Sequence, residues 1–102
     1  MKVYSTKLYE KWIERLKDNK AKAIIRVRIR KIELYGHFGD CETISKNVSE
    51  LRIDYGPGYR IYMTLKGPVM VILLLGEDKS TQAKDIKKAE KMAADVIVEE
   101  FV

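Results

Sequence analysis

The chain has 102 residues, 46% of them hydrophobic and 34% charged, with a net charge of +5. That bounds it to one small domain, residues 1–102, with a modest apolar core. One cysteine, Cys41, excludes an internal disulfide, and the absence of a Cys/His cluster argues against a zinc site. The longest apolar run, Val69 to Leu75, is too short to span a bilayer, and the charged start at Lys2 lacks the apolar stretch of a secretion signal. A cytoplasmic protein without a membrane partner is expected.

The positive charge is local. Residues 1–31 carry eleven Lys or Arg against three acids, a net of +8, whereas the remainder has a net of −3. Such asymmetry suggests a surface that meets a polyanion, with nucleic acid the leading candidate and a solvated helical face the plainer explanation.

In chain order, Met1 to Tyr4 reads as a short edge strand. Ser5 or Thr6 can cap a helix whose inward positions are Leu8, Trp12, Ile13 and Leu16, ended by Asp18-Asn19. A second helix is expected from Lys20 to Tyr35, with Ala21, Ile25, Ile29 and Ile32 inward, Lys22, Arg26 and Arg30 outward, and Gly36 as its C′ residue. The short connection predicts an antiparallel αα-hairpin on the apolar face of a sheet. Residues 36–47 form a loop with a short strand near Glu42 to Ser45.

Three antiparallel strands follow, at Val48–Tyr55, Tyr59–Lys66 and Val69–Leu75, joined by Gly56-Pro57-Gly58 and Lys66-Gly67-Pro68. The third is apolar on both faces, as a covered central strand would be. The polar run EDKSTQ then turns into a final helix from Gln82 to Val98, capped by Ser80 or Thr81 and burying Ile86, Ala89, Ala93 and Val96 or Ile97. The fold class is α+β.

Alternation in the first hairpin separates two faces. If Tyr55 lies opposite Tyr59, then Leu51, Ile53, Ile61 and Met63 share the core side, while Arg52 faces Tyr62 and Asp54 faces Arg60 on the other. Lys79, after the third strand, can reach the same end of the sheet. Two arginines and a lysine without a compensating carboxylate cluster suit a phosphate whose charge grows in a transition state, and a neighbouring tyrosine can stack on a base. Against that stands an ordinary arrangement in which Arg60 pairs with Asp54 and the Arg52 stem covers apolar surface.

Elsewhere the chemistry is thin. His37 follows a glycine in a loop with nothing to orient it, and Cys41 has no histidine partner for nucleophilic catalysis. Gly56-Pro57-Gly58 joins two strands and is no phosphate loop. Tyr9 and Trp12 sit at core spacing. No carboxylate pair suggests a glycosidase or metal hydrolase, so an enzyme here is expected to work without metal or cofactor.

Three segments carry a resemblance: KWIERLKDNKAKAIIRVRIRKIELYGHFGD at 11–40, SELRIDYGPGYRIYM at 49–63 and LLLGEDKSTQAKDIKKA at 73–89. With these the chain resembles the RelE/ParE superfamily of toxin–antitoxin modules, and within it the HigB-like, phage-related addiction module killer group. The resemblance implies an α+β domain with two helices on a twisted, mainly antiparallel sheet and a C-terminal helix. It implies a metal-independent endoribonuclease that cuts mRNA on the ribosome through attack of a ribose 2′-OH on the adjacent phosphate. The implied partners are mRNA, the ribosome and a cognate helix-turn-helix antitoxin, with operator DNA reached only through that antitoxin.

Carried onto this sequence, the resemblance makes Arg52, Arg60, Lys79 and Tyr62 the catalytic set. Arg52 and Arg60 would neutralise the scissile phosphate. Lys79 would deprotonate the 2′-OH or stabilise the transition state, and Tyr62 would stack on a base or protonate the leaving oxygen. Lys20, Lys22, Arg26, Arg30 and Tyr59 would contact RNA. The chain departs from the group at Cys41-Glu42-Thr43, where a basic residue is usual, at Ser45-Lys46-Asn47, and at Glu77, where a glycine is usual. Two other outcomes share the fold: a ParE-like inhibitor that binds gyrase, and a degenerate toxin that keeps only antitoxin binding.

Overall fold

The structure is a computed structural model and describes residues 1–78, 82–96, 100 and 101, with the backbone alone at 82–84. Its elements are β1 (Lys2–Ser5), α1 (Lys7–Arg15), α2 (Asn19–Tyr35), β2 (Cys41–Ser45), β3 (Val48–Ile53), β4 (Tyr59–Lys66), β5 (Met70–Asp78) and α3 (Gln82–Asp95). Lys79, the cap candidates Ser80 and Thr81, and Ile97 lie outside the described residues.

Local chemistry explains the helix limits. Thr6 caps α1: its Oγ1 accepts from Tyr9 N at 3.1 Å and donates to Leu74 O at 2.6 Å, so one hydroxyl satisfies a helix end and ties it to β5. Asp18 Oδ1 accepts from Lys20 N and Ala21 N at 3.0 and 3.1 Å, starting α2 just after the expected break. At the other end Gly36 takes the left-handed conformation at φ 64°, and its N–H donates to Ile32 O.

The five strands form one sheet in the order β1-β5-β4-β3-β2. β1 is an edge strand, as the sequence suggests, and it pairs parallel with β5; the other three pairings are antiparallel. Both faces are covered. Tyr9, Ile13, Ala21, Ile25 and Ile32 of α1 and α2 pack with Leu51, Ile53, Tyr59, Ile61, Met63, Val71 and Leu73 on one side. On the other, Ala89 and Ala93 of α3 pack with Val48, Tyr62, Ile72, Leu74 and Leu75. Leu74 is the extra residue of a bulge, since Tyr62 pairs with Leu75 and Met63 with Leu73. Two successive leucines thereby reach the α3 side.

Several expectations are corrected. β3 ends at Ile53, because Tyr55 belongs to the turn: Gly58 N donates to Tyr55 O at 3.0 Å, with Gly56 and Gly58 at positive φ. The longer loop moves the hairpin register by two residues, so Ile53 faces Tyr59 and Leu51 faces Ile61. An even shift preserves the division into faces while changing every cross-strand partner. β5 continues to Asp78, which places Glu77 within a strand. On α1 the inner position falls to Tyr9, and Leu8 is exposed.

Gly76 permits the Trp12 ring of α1 to sit directly on the backbone of β5. A Cβ there would overlap Trp12 Cε3 and Cζ3, and the indole also meets the Tyr59 ring at 6.2 Å between centroids. Gly76→Ala should therefore destabilise the fold by about 1–3 kcal/mol through overpacking. Denaturant unfolding measures this, and a Trp12→Ala background should remove most of the penalty. An unchanged midpoint in Gly76→Ala would show that the indole moves aside freely.

Candidate active site

β3 and β4 place Arg52 and Arg60 directly opposite each other, on the face away from α1 and α2. Tyr62 lies across from Glu50 rather than from Arg52. Period-two alternation puts residues 48, 50 and 52 on one face, so Glu50 belongs beside the arginines; the sequence held that signal.

The expectation of a site without compensating carboxylates is overturned. Arg52 Nη2 and Nη1 meet Asp40 Oδ1 at 3.0 Å and Glu42 Oε2 at 2.7 Å, and Nη1 stands 3.6 Å from Glu50 Oε1. Arg52 Nε also donates to Asp40 Oδ1. These bonds, to Asp40 first and Glu42 second, hold the guanidinium pKa above its ordinary value. Glu42, at a position where the resemblance leads one to expect a basic residue, engages the arginine instead.

Arg60 is more enclosed. Its Nε stands 3.5 Å from Glu50 Oε1, with side-chain exposures of 13% and 3%. Nε and Nη1 of Arg60 are buried without a hydrogen-bond partner among the described residues. The cross-strand pair with Asp54 does not form, because the register sets Arg52 opposite Arg60. A guanidinium with unmet donors beside one carboxylate is able to take an additional acceptor oxygen.

Tyr62 is fully buried, and its hydroxyl donates to Glu77 Oε1 at 2.6 Å. Its ring lies in the core under α3, so in this conformation it presents no stacking surface. Tyr59 points to the opposite face, where it packs against Trp12, and its assignment to an RNA-facing surface is corrected on that ground.

The helix cations divide. Lys20 Nζ sits 5.7 Å from the centroid of the Tyr55 ring, Lys22 Nζ donates to Glu14 O, and Arg26 and Arg30 are exposed beside β1. α2 packs on the sheet face opposite Arg52 and Arg60, so these cations and the paired arginines form two separate surfaces.

Arg28 was not singled out by sequence. Its Nη1 donates to Arg52 O at 2.8 Å, and its Nη2 donates to Phe38 O at 2.8 Å and Asp40 O at 3.2 Å. It pins the segment that carries Asp40 against β3. A Cβ on Gly39 would stand 3.0 Å from Arg28 Nη2, at φ 70°. Nearby, burial pushes the Cys41 thiol above its ordinary pKa, against the flanking Arg28 and Arg52, which disfavours a thiolate. Among the described residues no three His, Cys, Asp or Glu side chains are grouped to hold a metal ion.

Burial raises the Tyr62 pKa most, and the bond to Glu77 adds to the shift; burial likewise raises that of Tyr9. A raised folded-state pKa gives stability that is complete below the unfolded value, about 10, and is lost as pH climbs above it. Tyr62→Phe should lower stability by roughly 1–3 kcal/mol at neutral pH, as the phenol donor to Glu77 is removed. It should also lessen the loss of stability above about pH 10. Urea unfolding at neutral and alkaline pH reads both effects, and an alkaline loss identical to wild type would show that Tyr62 titrates as an ordinary phenol.

No protein-family model matches the chain. A Haemophilus influenzae protein described as an uncharacterized protein is 43% identical to it over 96 residues, covering 94% of this chain and 96% of that protein. Among the described residues no helix is long and apolar enough to cross a membrane. Identity at that level over nearly the whole of both chains places this protein in one family with the uncharacterized Haemophilus influenzae protein.

Proposed function

We propose that the protein is a RelE-like toxin of a toxin–antitoxin module and acts as a metal-independent endoribonuclease on translated mRNA. The observation that carries this reading is Arg60, opposite Arg52, whose buried Nε and Nη1 have no hydrogen-bond acceptor among the described residues. Donors of that kind are costly in an isolated protein and become useful when a phosphate oxygen arrives. A five-stranded mixed sheet, with α1 and α2 on one face and α3 on the other, accords with the architecture that the sequence resemblance implies.

In this reaction the ribose 2′-OH loses its proton and attacks the adjacent phosphorus. The P–O5′ bond breaks, leaving a 2′,3′-cyclic phosphate and a 5′-OH that takes up a proton. Arg60 holds the phosphate and Arg52 neutralises the charge that develops on it. Lys79, by resemblance, handles the 2′ proton or stabilises the transition state. Tyr62 keeps β4 in place through Glu77 and serves as a positioning residue. Lys20, Lys22, Arg26 and Arg30, on the other sheet face, bind ribosomal RNA through phosphate contacts that weaken with salt.

A second reading has its own support. Asp40, Glu42 and Glu50 together occupy Arg52, as they would in a degenerate toxin whose chemistry is lost and whose partner binding remains. A ParE-like gyrase inhibitor has no feature of this kind in its favour.

Mapping new mRNA 5′ ends after induction separates these readings. The nuclease produces cuts within translated frames, abolished in Arg60→Ala and suppressed when translation is blocked. Growth arrest with intact mRNA would point to gyrase, and the absence of both would leave the binding module. Asp40→Asn with Glu42→Gln should free Arg52 and raise affinity for an RNA oligonucleotide several-fold. Unchanged affinity would show that those carboxylates impose no restraint.

A further inference from the structure

A cleft of about 280 Å³ opens where β1 meets α1 and α2. Its floor is apolar, made by Val3, Ile13, Ile29 and Leu73, and the buried Tyr9 borders it. Pockets that enclose a small organic ligand begin at roughly 300 Å³, so one ring system fits here and a folded peptide does not.

β1 is an edge strand, and alternation decides which of its main-chain groups are free. Lys2 N and Thr6 N donate to Val69 O and Leu73 O, so the even-numbered residues face β5. Val3 and Ser5 turn their N–H and C=O groups the other way, where no strand pairs with them. Two outward residues are too few to hold an added strand, yet they offer donors and acceptors to the edge of a heterocycle.

α2 supplies the charges. Arg26, Ile29, Arg30 and Glu33 recur at helical spacing and line the cleft. Arg26 and Arg30 stand one turn apart and form no ion pair among the described residues, a like-charged arrangement that an intervening anion would relieve. The Glu33 carboxylate likewise has no partner among them, whereas Glu10, the other acid at the cleft, accepts from Ser5 Oγ. Glu33 O accepts from Met1 N at 2.9 Å, which sets this residue beside the start of β1. The cleft thus has an acceptor at one end and cations toward the other, separated by up to about 10 Å of helix rise.

A lone carboxylate matches two adjacent N–H donors. Guanine carries them at N1 and N2, with O6 alongside to accept from an outward amide, and neither adenine nor uracil has that pair. We propose that this cleft binds a guanosine 5′-phosphate unit, its base edge on Glu33 and the Val3 amide and its phosphate between Arg26 and Arg30. The unit comes either from a free nucleotide or from a guanosine unstacked from RNA. In the second case the inference rests on the proposed RNA reading and narrows it, since Arg26 and Arg30 then hold one particular phosphate.

The test uses the full chain with GMP, AMP and UMP, and with two RNA heptamers, all-uridine and uridine with one central guanosine. Isothermal titration should show GMP bound most tightly, with amide shifts at residues 3–5 and 26–33. Glu33→Gln should cut the preference for GMP over AMP at least about tenfold, the discrimination that a bidentate contact supplies. Arg30→Gln should weaken all three nucleotides alike. Neither side chain belongs to the buried core, so both variants should unfold at the wild-type midpoint. A heptamer preference for guanosine that Glu33→Gln removes assigns the site to RNA. GMP binding without affinity for RNA assigns it to the free nucleotide and removes the RNA reading of these arginines. Equal affinity for the three nucleotides, or a GMP preference indifferent to Glu33→Gln, would overturn the proposal. RNA bound without regard to guanosine, with GMP unbound, would overturn it and leave the RNA reading standing.

Discussion

Glu50 carries its carboxylate into nearly closed space between two guanidinium groups, 3.6 Å from Arg52 Nη1 and 3.5 Å from Arg60 Nε. β3 and β4 set those arginines directly opposite, a cross-strand pairing that like charges ordinarily destabilise. One shared anion removes much of the repulsion and gives the more enclosed Arg60 its ion-pair partner. The hairpin register depends on it as well, since any other pairing moves Glu50 away from one arginine. Asp40 and Glu42 act from the rim on Arg52, where solvent makes each pair worth little alone.

The two faces of the sheet have been given different work. One is dry, with α1 and α2 closing over aliphatic and aromatic residues and Trp12 seated on Gly76. The other is dry under α3 and becomes polar along β4 and β5, where Tyr62 and Glu77 form a buried hydrogen bond and Arg60 follows opposite Glu77. The bulge at Leu74 contributes to that gradient by sending two leucines to the α3 side. A buried hydrogen bond between neighbouring strands keeps its geometry with few degrees of freedom, as a site with preset donors requires.

Much of the architecture could be read from periodicity. Helical spacing marked α1 and α2, Asp18-Asn19 marked the break between them, and Gly36 marked the end of α2 because caps are local chemistry; that Asp18 caps α2 is seen only in the structure. Alternation assigned Leu51, Ile53, Ile61 and Met63 to the core side, and a register error of two residues left that assignment intact. Cross-strand partners were not legible, since they depend on whether Tyr55 belongs to the strand or the turn, which one hydrogen bond decides. The arginine pair was recognisable in sequence, and alternation would have set Glu50 beside it; Asp40 and Glu42 were not legible, because they arrive from β2 and the residue before it, whose placement is a tertiary matter. Arg28 was hidden in a run of helical cations, and only its reach to three carbonyls separates it from them.

Arg28 grips the segment before β2 through Phe38 O, Asp40 O and Arg52 O, all of them main-chain atoms. Such a grip is blind to the side chains it holds, apart from the glycine between them that leaves room for the guanidinium. Residues at the exposed positions of β2 are therefore free to drift while their anchorage stays fixed. The side chains of the outer hairpin are trim on a fixed mount, and exchanging them changes the charge presented to Arg52 without any rebuilding of the domain beneath.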